Sequence, residues 1–221
     1  MRYFIRKKMI FVAISFTNKK LTLQFSEEDF PEDAYQRGNV KNGAGAFVSP
    51  DSMTYPIISD VFHFFLEHSS SQATKYNIYG HSAGSQFVHR YLLFNNTSEG
   101  NLAVAANAGW YTFPNDAIDY PYGIGDSEDD IGVDVEAYYG KRLIVLLGEA
   151  DTLRTENLNT SSKADAQGRM RLERGNAFFE FCKADTESRG VSFRWERVYV
   201  AGVGHSDAKM APTAARLLYG K

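Results

Sequence analysis

The 221-residue sequence contains a single cysteine, Cys182. No intrachain disulfide can form, so a packed core has to hold the chain together. Cys182 shares a helical stripe with Phe178 and Phe181 and reads as a buried, unreactive thiol. Excess charge is also lacking: 24 basic residues face 27 acidic ones, a net charge of -3, which gives no electrostatic reason to approach nucleic acid or anionic lipid. No apolar run is long enough to span a bilayer. Internal repeats and low-complexity segments are missing, and one domain, 1–221, suffices at this length. The acid-rich stretch 126–134 lacks the glycine and terminal glutamate spacing of a calcium loop, so neither a metal site nor a cofactor is expected. Residues 1–8 are basic and residues 9–16 apolar, imitating a short signal peptide, but no small-x-small cleavage pattern follows. A structural strand or helix is the better reading, and a cytoplasmic location is favoured over a secreted one.

What is present is organised around Tyr76-Asn77-Ile78-Tyr79-Gly80-His81-Ser82-Ala83-Gly84-Ser85. An aromatic-rich apolar run meets Gly-x-Ser-x-Gly, and a helix-period pattern follows at Phe87, Val88, Tyr91 and Leu92. Strand, sharp turn and helix would place the Ser82 hydroxyl at the carboxyl edge of a sheet. Gly80 and Gly84 would remove Cβ atoms that collide with the neighbouring strand and helix. The Ala83 amide and the helix N-terminus would face the same space, making half an anion site.

Further strands are expected at 9–16, 21–25, 102–106, 142–148 and 193–200. The first two, separated by four residues, should form a hairpin unless the first is helical. Residues 26–50 read as a long polar loop. An amphipathic helix carries Ile57, Ile58, Val61, Phe62 and Phe65, with Thr54 as its cap and Pro56 in its first turn. Residues 110–140 read as an irregular, aromatic, cap-like excursion, 163–189 as one long helix stopped by Gly190, and 212–219 as a closing helix. The fold class is α/β, a mostly parallel sheet of about five or six strands flanked by helices.

Ser82, Asp151 and His205 each follow a predicted strand, where ligands sit in such sheets. A serine hydroxyl needs a base to take its proton as it attacks, and histidine is the natural one; a carboxylate on the far ring nitrogen fixes its tautomer. Asp151 lies beyond its strand end and is preferred to the rival acid Glu149. Glycines around His205 allow close approach to the turn. The other histidines, His63, His68, His81 and His89, read as packing or surface residues.

These motifs, with Ala105-Ala106-Asn107-Ala108-Gly109-Trp110-Tyr111, Gly148-Glu149-Ala150-Asp151 and Gly202-Val203-Gly204-His205, resemble the α/β-hydrolase superfamily, in its poly(3-hydroxybutyrate) depolymerase-like and feruloyl-esterase-like branch. The resemblance runs from about Leu21 to the C-terminus, and the chain order Ser, Asp, His agrees with it. It implies an esterase acting on a small-molecule or polymeric ester, with Ser82 as nucleophile, Asp151 as acid, His205 as base and the Ala83 amide as one oxyanion donor. Trp110 and Tyr111 are expected to line an apolar acyl or aryl pocket. The chain departs from the pattern at one point: no His-Gly, which usually supplies the second oxyanion amide, occurs anywhere, and the usual leading strands are largely missing. Either the sequence starts late, or residues 15–17 or 43–46 take over that role. The rival readings are an N-terminally shortened or non-catalytic member and, within the class, a thioesterase or peptidase.

Overall fold

Two strands open the fold as an antiparallel hairpin, β1 (Ile10–Phe16) with β2 (Lys19–Phe25), in which Ile10 pairs with Phe25 and Phe16 with Lys19. The computed structural model describes residues 10–16, 19–25, 32–97, 99–125 and 131–220. Residues 1–9, with the basic N-terminal stretch, and 126–130, with most of the acidic stretch, lie outside the described residues. Behind the hairpin, the segment read as loop contains a short helix, α1 (Glu32–Gln36). Five residues cannot sustain a helix on their own, so tertiary contacts with a later helix hold this one.

The remaining elements alternate. Helix α2 (Ile57–Glu67) precedes β3 (Tyr76–His81), α3 (Ala83–Phe94), β4 (Gly100–Ala106), α4 (Val135–Gly140) and β5 (Leu143–Gly148). Then come α5 (Ser162–Asp165), α6 (Arg171–Arg189), β6 (Trp195–Val200) and α7 (Asp207–Tyr219). Strands β3 to β6 form a four-stranded parallel sheet in the order β3-β4-β5-β6. The sheet is narrower than the expected five or six strands because β1 and β2 bond to each other. Strand β1 lies beside β3 and, among the described residues, joins no ladder with it.

The period-2 alternation of the strands divides the core. Ala103, Ala105, Leu143, Val145 and Leu147 face one side, packed with Phe62 and Phe65 of α2, Val88 and Tyr91 of α3, and Phe178 and Cys182 of α6. Leu102, Val104, Ala106, Ile144 and Leu146 face the other, against Met210 and Ala214 of α7. All six β5 residues are buried, as expected of a strand covered on both faces. At about 1.5–3 kcal/mol per large apolar side chain, this central strand carries much of the hydrophobic stabilisation. Helix α3 is buried at every position from Ser85 to Phe94, so its stripe is wider than the amphipathic pattern implied.

Two local expectations are corrected. Pro56, with no side-chain cap, is the N-cap of α2, and Thr54 contributes its carbonyl to the Ile57 N–H at 3.3 Å. The long helix at 163–189 is two, broken where Gly168 takes φ 140°, and the Arg174 guanidinium binds the Gly168 carbonyl at 2.7 Å. Gly190 does end α6, in the left-handed conformation at φ 68°.

Candidate active site

Ser82 sits between β3 and α3 with φ 55° and ψ -115°, a strained backbone that neighbours must hold. Its N–H bonds the Ala106 carbonyl at 2.9 Å and its carbonyl receives the Gln86 N–H at 3.1 Å. A Cβ on Gly80 would collide with the Gly84 carbonyl and the Ser85 amide, as the motif implies. Gly84 differs from expectation: the atom its Cβ would meet is the Tyr35 hydroxyl, at 3.0 Å. Ala83 opens α3, so its N–H belongs to the first-turn amides that no intrahelical carbonyl can take.

The strand ends bring the sequence candidates together. His205 Nε2 lies 3.0 Å from Ser82 Oγ, and His205 Nδ1 lies 2.8 Å from Asp151 Oδ2. An ionised carboxylate only accepts, so Nδ1 carries the proton and Nε2 is left to accept from the serine hydroxyl. Asp151 is buried and His205 partly exposed, 2% against 23%, a carboxylate sealed from water beneath a half-open imidazole. The rival Glu149 points to solvent. Backbone bonds from Glu149 N to Val200 O at 3.1 Å and from Ala150 N to Val203 O at 2.9 Å tie the acid loop to the histidine loop.

Several supporting residues escaped the sequence reading. Asn107 adopts a left-handed φ of 49°; its Oδ1 accepts the Gly148 N–H at 2.8 Å and its Nδ2 donates to the Gly204 carbonyl at 3.5 Å. One side chain thus spans the ends of β4, β5 and the His205 loop. Asparagine just beyond a strand, a residue that tolerates φ > 0, was the available signal. Arg171 places Nη1 3.7 Å from Asp151 Oδ1, both side chains sealed from solvent. Arg174 binds the Gly109 carbonyl at 2.6 Å and Asp165 at 2.9 Å. Read from sequence, both arginines fall in the stretch 163–189, expected as one long helix, with no partner assigned.

The histidines separate by environment. His81 stacks on His205, ring centroids 4.7 Å apart, and burial, reinforced by the charge of His205, lowers its pKa to about 4. His89 is fixed as a neutral tautomer, Nδ1 donating to the Ser85 carbonyl at 2.9 Å and Nε2 accepting the Thr112 N–H at 3.0 Å. His63 meets Glu99 at 2.6 Å on the surface, a carboxylate partner that sequence spacing did not reveal, and His68 binds the Phe64 carbonyl at 2.8 Å.

Trp110 and Tyr111, expected to line a pocket, are 5% and 0% exposed. The Trp110 ring lies under the Arg90 guanidinium at 4.0 Å and against Tyr122 at 4.7 Å. Tyr111 stacks on Phe178 at 4.4 Å, and its backbone is clasped at both ends by the Gln167 amide at 2.9 and 2.7 Å. The turn at 43–46 is exposed and closed on itself by the Asn42 side chain, and Thr17 lies outside the described residues.

No protein-family model matches the chain, and no curated protein matches its sequence. Solved structures do. Poly(aspartic acid) hydrolase-1 from Sphingomonas sp. KT-1 is 34% identical over 88% of this chain and 74% of its own, with a TM-score of 0.83. LpqC, a poly(3-hydroxybutyrate) depolymerase from Bordetella parapertussis, is 29% identical over 89% of this chain and 67% of its own, with a TM-score of 0.81. The chain belongs to the α/β-hydrolase superfamily, with its poly(3-hydroxybutyrate) depolymerase-like members. Hydrolysis is therefore the family-level activity. No helix among the described residues is long and apolar enough to cross a membrane.

Proposed function

We propose that the chain is a cofactor-independent serine hydrolase that cleaves carboxylic esters through an acyl-enzyme on Ser82. The observation that carries this reading is the continuous contact from Ser82 through His205 to buried Asp151. As Ser82 Oγ attacks the ester carbonyl carbon, His205 Nε2 takes its proton, and Asp151 stabilises the imidazolium through Nδ1–H. The carbonyl electron pair moves onto oxygen, where the Ala83 N–H receives it. Collapse expels the alcohol, protonated by His205. Water, deprotonated by the same imidazole, then releases the acid and restores the serine. Trp110 and Tyr111, both buried, enter as core packing behind the site.

Amide cleavage is the second reading, because the relative that is 34% identical is named for poly(aspartic acid), a polymer joined by amide bonds. Matched ester and anilide substrates with the same acyl group separate the two. The ester reading expects much the larger kcat/KM on the ester, with activity and fluorophosphonate labelling both lost in Ser82→Ala. Comparable rates on the anilide would favour the amidase, and labelling that survives Ser82→Ala would remove Ser82 from the reaction.

A further inference from the structure

An oxyanion needs two or more donors aimed at one point, and removing one such donor costs on the order of 10²–10³ in rate. The Ala83 amide is one. We propose that the Tyr35 phenol O–H is the second oxyanion donor, holding the carbonyl oxygen together with the Ala83 N–H as the tetrahedral intermediate forms. The inference deepens the Ser82 reading and rests on it.

Position carries the assignment. The Tyr35 hydroxyl stands 3.0 Å from where a Cβ on Gly84 would lie, and apart from Gly84's own neighbours and helix backbone that Cβ would meet nothing else within 4 Å. The small residue two places after Ser82 therefore leaves room for a phenol beside the first turn of α3. Tyr35 is half-buried. Among the described residues, its hydroxyl has no hydrogen-bond partner, and it is not one of the sealed polar atoms of the core. An uncommitted donor against the residue two places after Ser82 lies at the first helical turn that the oxyanion would face.

The surroundings aim it. The Tyr35 ring stacks on Phe87, one turn along α3, with centroids 5.7 Å apart and planes 20° from parallel. The next residue, Gln36, fastens α1 to α3 twice: Gln86 Nε2 donates to its side chain at 2.8 Å and Arg90 Nη1 to its carbonyl. Tyr120 Oη then binds the Arg37 carbonyl at 2.6 Å. These bonds give the five-residue α1 the tertiary support it lacks by itself, and they fix the residue whose phenol meets the elbow. Burial pushes the Tyr35 pKa up to about 12, so the phenol keeps its proton at any ordinary pH. It donates a hydrogen bond throughout and transfers no proton; the proton cycle stays with His205.

The test is Tyr35→Phe, which keeps the ring stacked on Phe87 and removes only the donor. The expected result is a loss of about 10²–10³ in kcat with little change in KM or melting temperature. A trifluoromethyl ketone that forms an oxyanion on Ser82 should lose affinity by the same factor, while the corresponding alcohol, which cannot form one, should bind as before. Gly84→Ala, which crowds the hydroxyl, should lower kcat in the Tyr35 enzyme and add nothing in Tyr35→Phe. Wild-type turnover matched by Tyr35→Phe, or equal losses from Gly84→Ala in both backgrounds, would overturn the Tyr35 assignment alone. A wild-type protein that neither labels at Ser82 nor hydrolyses esters would overturn the Ser82 reading and this inference with it.

Discussion

His81 and His205 lie ring to ring, 4.7 Å between centroids, so the residue immediately before Ser82 packs against the imidazole that reaches the Ser82 hydroxyl. His81 Nε2 is buried without a hydrogen-bond partner among the described residues. Its pKa falls to about 4 through burial first and the nearby His205 charge second, with Arg171 adding to the shift and Asp207 and Asp151 opposing it.

That depression predicts a pH-dependent loss of stability. A histidine whose folded pKa lies below its unfolded value of about 6.5 binds its proton preferentially when unfolded. Its contribution is complete above about 6.5 and is lost as the pH falls towards 4, a change of at most about 3 kcal/mol. Carboxylates titrate in the same range, so the informative quantity is the difference between wild type and His81→Gln. Denaturant unfolding from pH 7 to pH 4 should show the wild type losing more stability than the variant. Parallel curves would mean that His81 is solvated when protonated in the folded state.

Arg171 and Asp151 make a second pair whose coupling can be measured. Their closest atoms are 3.7 Å apart with both side chains buried, and Arg171 Nε has no partner among the described residues. Removing one member of a buried pair leaves the other uncompensated, at a typical cost of 3–5 kcal/mol. At a separation of 3.7 Å, Arg171→Met should fall near the lower end, about 3 kcal/mol. In an Asp151→Asn background the same substitution should cost clearly less. Equal costs in both backgrounds would show that Arg171 is held instead by packing and by the Thr155 hydroxyl, which its Nη1 and Nη2 reach at 3.4 and 3.5 Å.

How much of this was legible in sequence follows from the range of the interactions. Ser82, Asp151 and His205 were readable because each follows a strand, and glycines at 80, 148 and 204 mark where backbones approach. Gly80, Gly148 and Gly204 do lie against backbone atoms of Gly84, Val203 and Ala150 respectively. Tyr35 was hidden inside an apparent loop, because α1 exists only through bonds to side chains about fifty positions away, Gln86 and Arg90. Arg90, Arg171 and Arg174 were opaque for another reason. Charge reads as exposure, whereas these guanidiniums are buried and bind carbonyls, hydroxyls and carboxylates that only the fold collects. Sheet width was overestimated because a β-branched run announces a strand and not its partner.

Trp110 offers a choice between packing and recognition. At 5% exposure, stacked under Arg90 and beside Tyr122, it should behave as a core residue. Trp110→Ala is expected to cost about 3–5 kcal/mol in denaturant unfolding. The surviving enzyme should keep the wild-type order of preference among esters of increasing acyl length. A reordered preference with unchanged stability would return Trp110 to the pocket wall.

Asn107 is where backbone strain and site geometry meet. Its left-handed φ of 49° costs roughly 1–2 kcal/mol for most residues, and here it turns an amide towards two loops at once. Through the Gly148 N–H and the Gly204 carbonyl, that amide sets the spacing between the segment carrying Asp151 and the segment carrying His205. Asn107→Gly keeps the backbone conformation accessible and deletes only the link. If Asn107 is a positioning residue, kcat should fall by about 10- to 100-fold, the effect of a misalignment near 1 Å, while KM stays close to wild type. Asn107→Ala should show the same kcat loss plus a further drop in melting temperature from the strained φ. A Gly variant that loses stability yet turns over at the wild-type kcat would confine Asn107 to holding the sheet edge together.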